Sequence, residues 1–183
     1  MRLTRTPIDG VVLVEPERNC DARGLFARLY CPQEFAAAGL DSFESTQINL
    51  SRNAARHTLR GMHYQKPPFA EAKLVRAVRG KVWDVVIDVR RGSPTYLQWT
   101  AAELDAVTLR ALFVPEGCAH GFLTLEPDTD ILYQMGRLHS PGHESGLRWN
   151  DPALDIAWPA SPAVITPRDT EWPLIADPPE HQI

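Results

Sequence analysis

Proline and glycine interrupt this sequence so often that long helices have little room to form. The 183 residues include 16 prolines and 11 glycines, which separate short runs of alternating apolar and polar residues. Alternation with a period of two is typical of half-buried strands, and closely spaced turns are typical of β-sandwiches and barrels. The pattern therefore predicts an all-β fold of antiparallel strands.

The clearest strand is the run Lys81–Val89. Because successive side chains point to opposite faces of a strand, Asp84 and Asp88 share one face and Trp83 lies on the other. Similar short runs precede and follow this strand, and they predict its antiparallel neighbours. Their residues are 73–80, 111–115, 120–125 and 130–135.

A short helix is expected over Gln33–Ala38. Pro32 suits the first turn of a helix, the alanines favour helix, and Gly39 is able to adopt the left-handed conformation that ends one. We interpret this helix as a surface element. The sequence shows no linker, so residues 1–175 are expected to form one domain and residues 176–183 a tail.

Composition excludes several classes of function. Lys and Arg number 19 against 23 Asp and Glu, a net charge of −4, which argues against nucleic acid and anionic membranes as partners. No apolar run approaches the ~18 residues of a membrane span, and Val11–Val14 is too short for a signal peptide. Cys20, Cys31 and Cys118 indicate neither a disulfide framework nor a zinc site, so a cytoplasmic protein is expected.

Reactive side chains are densest in the segment Leu59–Pro68. Arg60 and His63 are three residues apart, so a regular strand would place them on opposite faces unless Gly61 introduces a bulge. A histidine at the end of a strand is often only structural. Lys73 precedes an apolar strand, where its ammonium would be suited to stabilising a developing oxyanion.

A second histidine follows a turn in the segment Pro115–His120, whose PxGxxH spacing resembles the second histidine motif of cupin barrels. Metal-binding cupins also carry an HxH pair, but here Gln65 stands where its second histidine would be needed. The residues therefore favour a metal-free site. A metal-dependent cupin enzyme that uses His63, His120 and a carboxylate remains the alternative.

Eight ordered segments together resemble the dTDP-4-dehydrorhamnose 3,5-epimerase family. The resemblance extends from about residue 4 to residue 175. The segments are Asp21–Phe26, Gln47–Asn49, Leu59–Gln65, Lys73–Arg76, Asp84–Arg90, Ser93–Thr95, Pro115–Phe122 and Trp149–Pro152.

This resemblance implies an antiparallel jelly-roll, cupin-like barrel with a few short peripheral helices, which acts without a metal or other cofactor. The implied substrate is a nucleoside-diphosphate 4-keto-6-deoxyhexose, in which C3, C5 or both are inverted through an enolate. By similarity, His63 is the base and Asp169 its supporting carboxylate. Tyr133 is the acid, and Lys73 offsets the charge of the enolate.

The resemblance also implies a set of substrate-binding residues and a homodimer in which the Arg23 segment completes the neighbouring subunit's site. Arginines suit a diphosphate because the guanidinium group forms paired, charge-assisted hydrogen bonds. We further expect Asp84 or Asp88 to pair with His120 or Lys73 inside the barrel. The substrate-binding set is Arg23, Gln47, Asn49, Arg60, His120, His139, Glu144 and Arg168.

Two residues depart from the family pattern. Arg28 replaces a glutamate near the nucleobase end of the site, and His139 replaces a tyrosine near the sugar. These changes leave open the identity of the nucleobase and whether one carbon or two are inverted. A barrel that binds sugar nucleotides without turning them over is a further alternative, although the presence of both a base and an acid argues against it.

Overall fold

The computed structural model describes residues 1–40 and 42–175, and in them two antiparallel sheets face each other. The six-stranded sheet has the order β1 (Arg2–Arg5), β2 (Val12–Glu15), β10 (Ala111–Val114), β7 (Lys73–Arg79), β12 (Thr129–Met135) and β5 (Gln47–Asn53). The five-stranded sheet has the order β13 (Glu144–Gly146), β6 (Leu59–Gln65), β11 (Cys118–Thr124), β8 (Lys81–Asp88) and β9 (Trp99–Asp105).

A hairpin and two short helices lie outside the two large sheets. A separate hairpin is formed by β3 (Arg18–Asp21) and β4 (Gly24–Ala27), and the two helices are α1 (Pro32–Ala37) and α2 (Pro167–Thr170). Within residues 1–40 and 42–175, no helix is long or apolar enough to cross a membrane. The expected all-β antiparallel jelly-roll class is confirmed. The expected tail, residues 176–183, lies outside the described residues.

The two faces of β8 are buried in different clusters, as the alternation of its residues predicts. Val82 and Val86 lie in the core between the two sheets. Val85 and Ile87 lie on the outer face of the five-stranded sheet, where they pack in one cluster with Leu154. Both faces of this strand are therefore apolar, and Asp84 and Asp88 are buried with them.

Helix α1 begins and ends one residue earlier than expected, and it is more than a surface element. Its Phe35 is fully buried in an apolar cluster on the outer face of the six-stranded sheet, together with Phe43 and Phe113. Phe35 and Phe113 meet edge to face at 6.0 Å between ring centroids. The helix covers that face of the sheet, and this burial corrects our interpretation.

A β-bulge in β6 sets the direction of the reactive side chains. In the pairing of β6 with β11, His63 lies opposite His120, and Arg60 lies opposite Phe122. Two residues of β6 therefore face only one of β11. Gly61 has a φ of 140°, and a Cβ atom there would lie 2.5 Å from the Cα of Gly121, so only glycine fits this close approach. The bulge places Arg60 and His63 at the same cavity.

Asp88 ends β8 as a fully buried carboxylate. The Nε and Nη2 atoms of Arg90 donate to it at 2.8 Å each, and the hydroxyls of Ser93 and Thr95 donate at 2.6 and 2.7 Å. Burial opposes ionisation, but these donors prevail and hold the pKa of Asp88 at about 2, against an ordinary 3.8. The carboxylate therefore fixes the turn after β8.

We predict that Asp88→Asn lowers the free energy of unfolding by about 2 kcal/mol at neutral pH. This figure is the free energy that corresponds to the lowering of the pKa of Asp88 by folding. A carboxyl group whose pKa is lowered by folding stabilises the fold at pH values above its ordinary pKa. This stabilisation is lost as the pH falls to the pKa of the folded state. In urea unfolding, the difference between wild type and variant should therefore shrink as the pH falls from 3.8 to about 2. Asp128→Asn, at a side chain that is 65% exposed, is the control. A difference that stays constant with pH would contradict this role.

Candidate active site

One cavity is lined by most of the site residues that were predicted from the sequence. It has a volume of about 460 Å³ and is lined from β5, β6, β7, β11, β12 and α2. Eight of the twelve nominated residues are among its lining residues. They are Asn49, Arg60, His63, Lys73, His120, Tyr133, Arg168 and Asp169.

His63 and Asp169 form a hydrogen-bonded pair at the cavity wall. The Nε2 atom of His63 lies 2.6 Å from Oδ1 of Asp169, and the backbone N–H of Gly61 donates to Oδ2 at 3.3 Å. Burial opposes ionisation of Asp169, but the hydrogen bond and charge of His63 hold its pKa below the ordinary value. The ionised carboxylate accepts a hydrogen bond from the protonated Nε2 and thereby leaves Nδ1 as the basic nitrogen of the neutral ring.

Tyr133 lies on β12 and contributes a protonated phenol to the same cavity. Removal of the hydroxyl from water, reinforced by the negative charge of Asp84, raises the pKa of Tyr133 well above its usual value, and Arg60 opposes the shift. The phenol therefore stays neutral at physiological pH. It can give a proton to a strong base such as an enolate carbon.

His120 is held by the buried carboxylate of Asp84. The Nε2 atom of His120 lies 2.9 and 3.0 Å from the two oxygens of Asp84, and its ring meets that of Tyr133 edge to face at 6.0 Å. Of the two partners expected for the acids of β8, His120 pairs with Asp84. Asp88 faces Arg90 instead.

Lys73 begins β7 and its ammonium lies in the cavity beside a carboxylate that the sequence did not nominate. The Nζ atom of Lys73 donates to Oε1 of Glu71 at 3.1 Å, and both side chains are nearly inaccessible to solvent. Glu71 also lines the cavity. Its place in the loop before β7 gave no periodic signal, and its proximity to Lys73 in sequence was the only available sign.

The outer part of the cavity carries polar side chains linked in pairs. Nε2 of Gln47 donates to Oδ1 of Asn49 at 2.7 Å. Nη2 of Arg168 donates to Oε2 of Glu144 at 3.0 Å, and the other oxygen of Glu144 contacts His139. Gln47, Glu144 and His139 therefore adjoin the lining residues without lining the cavity themselves.

Arg23, which the sequence predicts as a substrate-binding residue, and Arg28, which departs from the family pattern, both lie away from this cavity. Arg23 sits at the turn of the β3–β4 hairpin, where its guanidinium pairs with Asp21 and is largely exposed. Arg28 donates to Glu34 of α1 at 2.9 Å. The side chain of Arg28 thus faces α1, and the side chain of Arg23 is exposed to solvent.

Four further lining residues were also missed: Leu50, Ser51, Met135 and Thr166. Leu50 and Ser51 lie on β5, Met135 ends β12 and Thr166 directly precedes α2, and their residue types carry no chemical motif. In the described residues, no three His, Cys, Asp or Glu side chains form a group suited to a metal ion. His63 and His120 each direct Nε2 to an aspartate of their own.

Comparison with known proteins identifies the family. The family model described as dTDP-4-dehydrorhamnose 3,5-epimerase matches residues 5–177. A relative named dTDP-4-dehydrorhamnose 3,5-epimerase, from Pseudomonas aeruginosa, is 41% identical over 178 residues and covers 97% of each chain. A relative named dTDP-4-dehydrorhamnose 3-epimerase, from Streptomyces niveus, is 38% identical over 97% of this chain and 85% of its own.

The fold agrees with that of a solved family member. The crystal structure of dTDP-4-dehydrorhamnose 3,5-epimerase from Bacillus anthracis, with TDP and PPi bound, has a TM-score of 0.92 at 37% identity. The match covers 95% of this chain and 99% of the other. These findings confirm the resemblance of the eight sequence segments: the chain belongs to the dTDP-4-dehydrorhamnose 3,5-epimerase family.

Proposed function

We propose that the chain inverts C3, C5 or both carbons of a dTDP-linked 4-keto-6-deoxyhexose in deoxysugar biosynthesis. The observation that carries this proposal is the meeting of a carboxylate-supported histidine, a protonated tyrosine and a lysine in one cavity. Removal of a proton beside a ketone requires a base, and return of a proton on the other face requires an acid. The enolate formed between the two steps requires a positive group near its oxygen.

His63 is the base in this proposal. Its Nδ1 takes the proton from the carbon beside the ketone, because Nε2 carries its own proton toward Asp169. The ring becomes an imidazolium, which the ionised Asp169 stabilises at 2.6 Å. A pair of this kind fixes both the tautomer and the orientation of the base.

Tyr133 and Lys73 complete the reaction. The phenol of Tyr133 gives its proton to the enolate carbon from the opposite face, and the inversion of that carbon follows. The ammonium of Lys73 faces the ketone oxygen and stabilises its negative charge during the transfer. In this scheme every proton is carried by a side chain of the protein.

The nucleotide is assigned to the outer part of the cavity. Arg60 and Arg168 supply guanidinium groups suited to a diphosphate, and Asn49 and Gln47 supply amides suited to the nucleoside. His120 and His139 complete the set of substrate contacts, and Glu144 orients Arg168. The family's dTDP-sugar relatives support thymidine as the nucleoside.

The functional unit in our proposal is a homodimer. The β3–β4 hairpin exposes Phe26 to 74%, and the edge strand β5 exposes Ile48 and Leu50. Apolar side chains on a sheet edge and on a projecting hairpin favour a partner that covers both. A neighbouring subunit would meet Arg23 on the same hairpin, which supports the completion of its site by this residue.

We also assign residues 1–175 to one catalytic domain and the protein to the cytoplasm. Cys20, Cys31 and Cys118 are all free thiols, and Cys20 is exposed. Free thiols suit a reducing compartment.

The base is tested by following substrate hydrogens in deuterated water. With a dTDP-linked 4-keto-6-deoxyglucose, we expect wild type to exchange hydrogen at C3, C5 or both, and NMR will show at which carbon. His63→Ala should slow this exchange by about 10²- to 10⁴-fold, the usual contribution of a general base. His57→Asn is the matched control, because His57 lies outside the cavity.

Tyr133→Phe provides a contrasting variant in the same assay. It should retain much of the exchange but lose net inversion, because only the return of the proton depends on the phenol. Exchange at the wild-type rate in His63→Ala would exclude His63 as the base. Exchange that a metal chelator abolishes would favour the metal-dependent alternative, and no exchange by wild type would favour a binding protein.

The dimer is tested by placing a charge on its expected interface. Phe26→Asp should convert dimers to monomers in sedimentation velocity and weaken the binding of dTDP, because Arg23 would no longer reach a neighbouring site. Val107→Asp, at a side chain that is 73% exposed near the end of β9, should change neither property. The proposal would be contradicted if wild type sedimented as a monomer, or if Phe26→Asp bound dTDP as tightly as wild type.

A further inference from the structure

The ammonium of Lys73 needs an orienting group, because a lysine side chain ends in a point charge on a flexible four-carbon stem. The side chain of Lys73 is only 6% exposed, so water does little to hold it. The hydrogen bond to Glu71 is the one found for its Nζ atom among the described residues. The direction in which the ammonium points therefore depends on Glu71.

Glu71 is itself held firmly. Its side chain is 9% exposed, and its second oxygen, Oε2, accepts a hydrogen bond from Nε2 of Gln65 at 2.7 Å. The same nitrogen of Gln65 donates to the carbonyl of Phe69 at 3.0 Å. The Oε1 atom of Gln65 accepts a hydrogen bond from the backbone N–H of Ser140 at 2.7 Å. Gln65 lies on β6, two residues after His63, so the position of the carboxylate is tied to the strand that carries the base.

We propose that Glu71 is a positioning residue that keeps the ammonium of Lys73 directed at the ketone oxygen of the substrate. This inference rests on the proposed function, in which Lys73 stabilises the enolate. The carboxylate acts through Lys73 and has no contact of its own with the reacting atoms. Hydrogen bonds link Ser140 to Gln65, Gln65 to Glu71, and Glu71 to Lys73. This series of bonds ends in the cavity.

A purely structural role is a poor explanation for this pair. Taking two charges out of water is costly, and apolar residues of similar size often stabilise a fold as well as a buried ion pair does. An exposed pair of the same kind exists between Lys81 and Glu103, at 2.9 Å on the neighbouring strands β8 and β9. Glu71, in contrast, is buried at a cost in solvation, and it lies beside the one lysine that lines the cavity.

A double-mutant cycle tests the proposal with the intact protein and a dTDP-linked 4-keto-6-deoxyglucose. Glu71→Gln keeps the shape of the side chain and removes its charge, and kcat should fall by about 10- to 100-fold. KM should change less than about twofold, because the guanidinium groups of Arg60 and Arg168 remain. Lys73→Met should lower kcat by about 10²- to 10³-fold.

The double variant decides between positioning and an independent effect. If Glu71 acts through Lys73, Glu71→Gln causes no further loss of kcat in the Lys73→Met background. Losses that multiply in the double variant would overturn the proposal. Glu103→Gln should leave kcat at the wild-type value.

Two further measurements separate the remaining outcomes. Thermal unfolding reports whether each variant folds, and if Glu71→Gln does not, Glu71→Asp enters the cycle in its place. Glu71→Asp keeps the charge and should recover part of the lost kcat, whereas a loss as large as that of Glu71→Gln would count against the carboxylate. Absence of turnover by wild type would overturn the proposed function, while turnover with multiplying losses would overturn only the role of Glu71.

Discussion

The hydrogen bond between His63 and Asp169 joins residues that are 106 positions apart, and the arrangement of the site depends on it. His63 comes from β6, and Asp169 comes from the four-residue helix α2 near the end of the described chain. The returning segment is held against the start of β6 by backbone hydrogen bonds from Leu59 to Val164 and from Ala163 to His57, each at 2.9 Å. The backbone thus brings the carboxylate to the imidazole.

Three basic side chains of the cavity each have an acidic partner. His63 faces Asp169, His120 faces Asp84 and Lys73 faces Glu71, and each carboxylate fixes the direction of its partner. Groups fixed in this way need little reorganisation when an enolate forms. The neutral ring of His63 is therefore oriented to take a proton, and the ammonium of Lys73 is oriented to stabilise negative charge.

Sequence patterns predicted the fold well where the physics is local. The strand β8 followed from the alternation of its residues, and the helix α1 was placed to within one residue by Pro32 and Gly39. The burial of Phe35 was missed, because the pattern of a six-residue helix does not show which surface it will cover. The bulge at Gly61 was only one of two possibilities, since its cause is the close approach of Gly121 on another strand.

The site was harder to predict for the same reason. Asp169 is too distant in sequence for any spacing rule to connect it with His63, and only the resemblance to a family named it. Glu71 was not named at all, because an acid in a loop two residues before a lysine is common on protein surfaces. Its burial beside Lys73 depends on Gln65 and on the loop at Ser140, which are brought together by the packing of the sheets.

The tautomer of His63 tests the central claim most directly. In a ¹⁵N-labelled protein, NMR correlation of the histidine rings reports which nitrogen carries the proton, and His63→Gln assigns the signal. The account predicts that the neutral ring of His63 is protonated at Nε2 and free at Nδ1, with the Nε2 proton shifted downfield by Asp169. A neutral ring that is protonated at Nδ1 and free at Nε2 would contradict it.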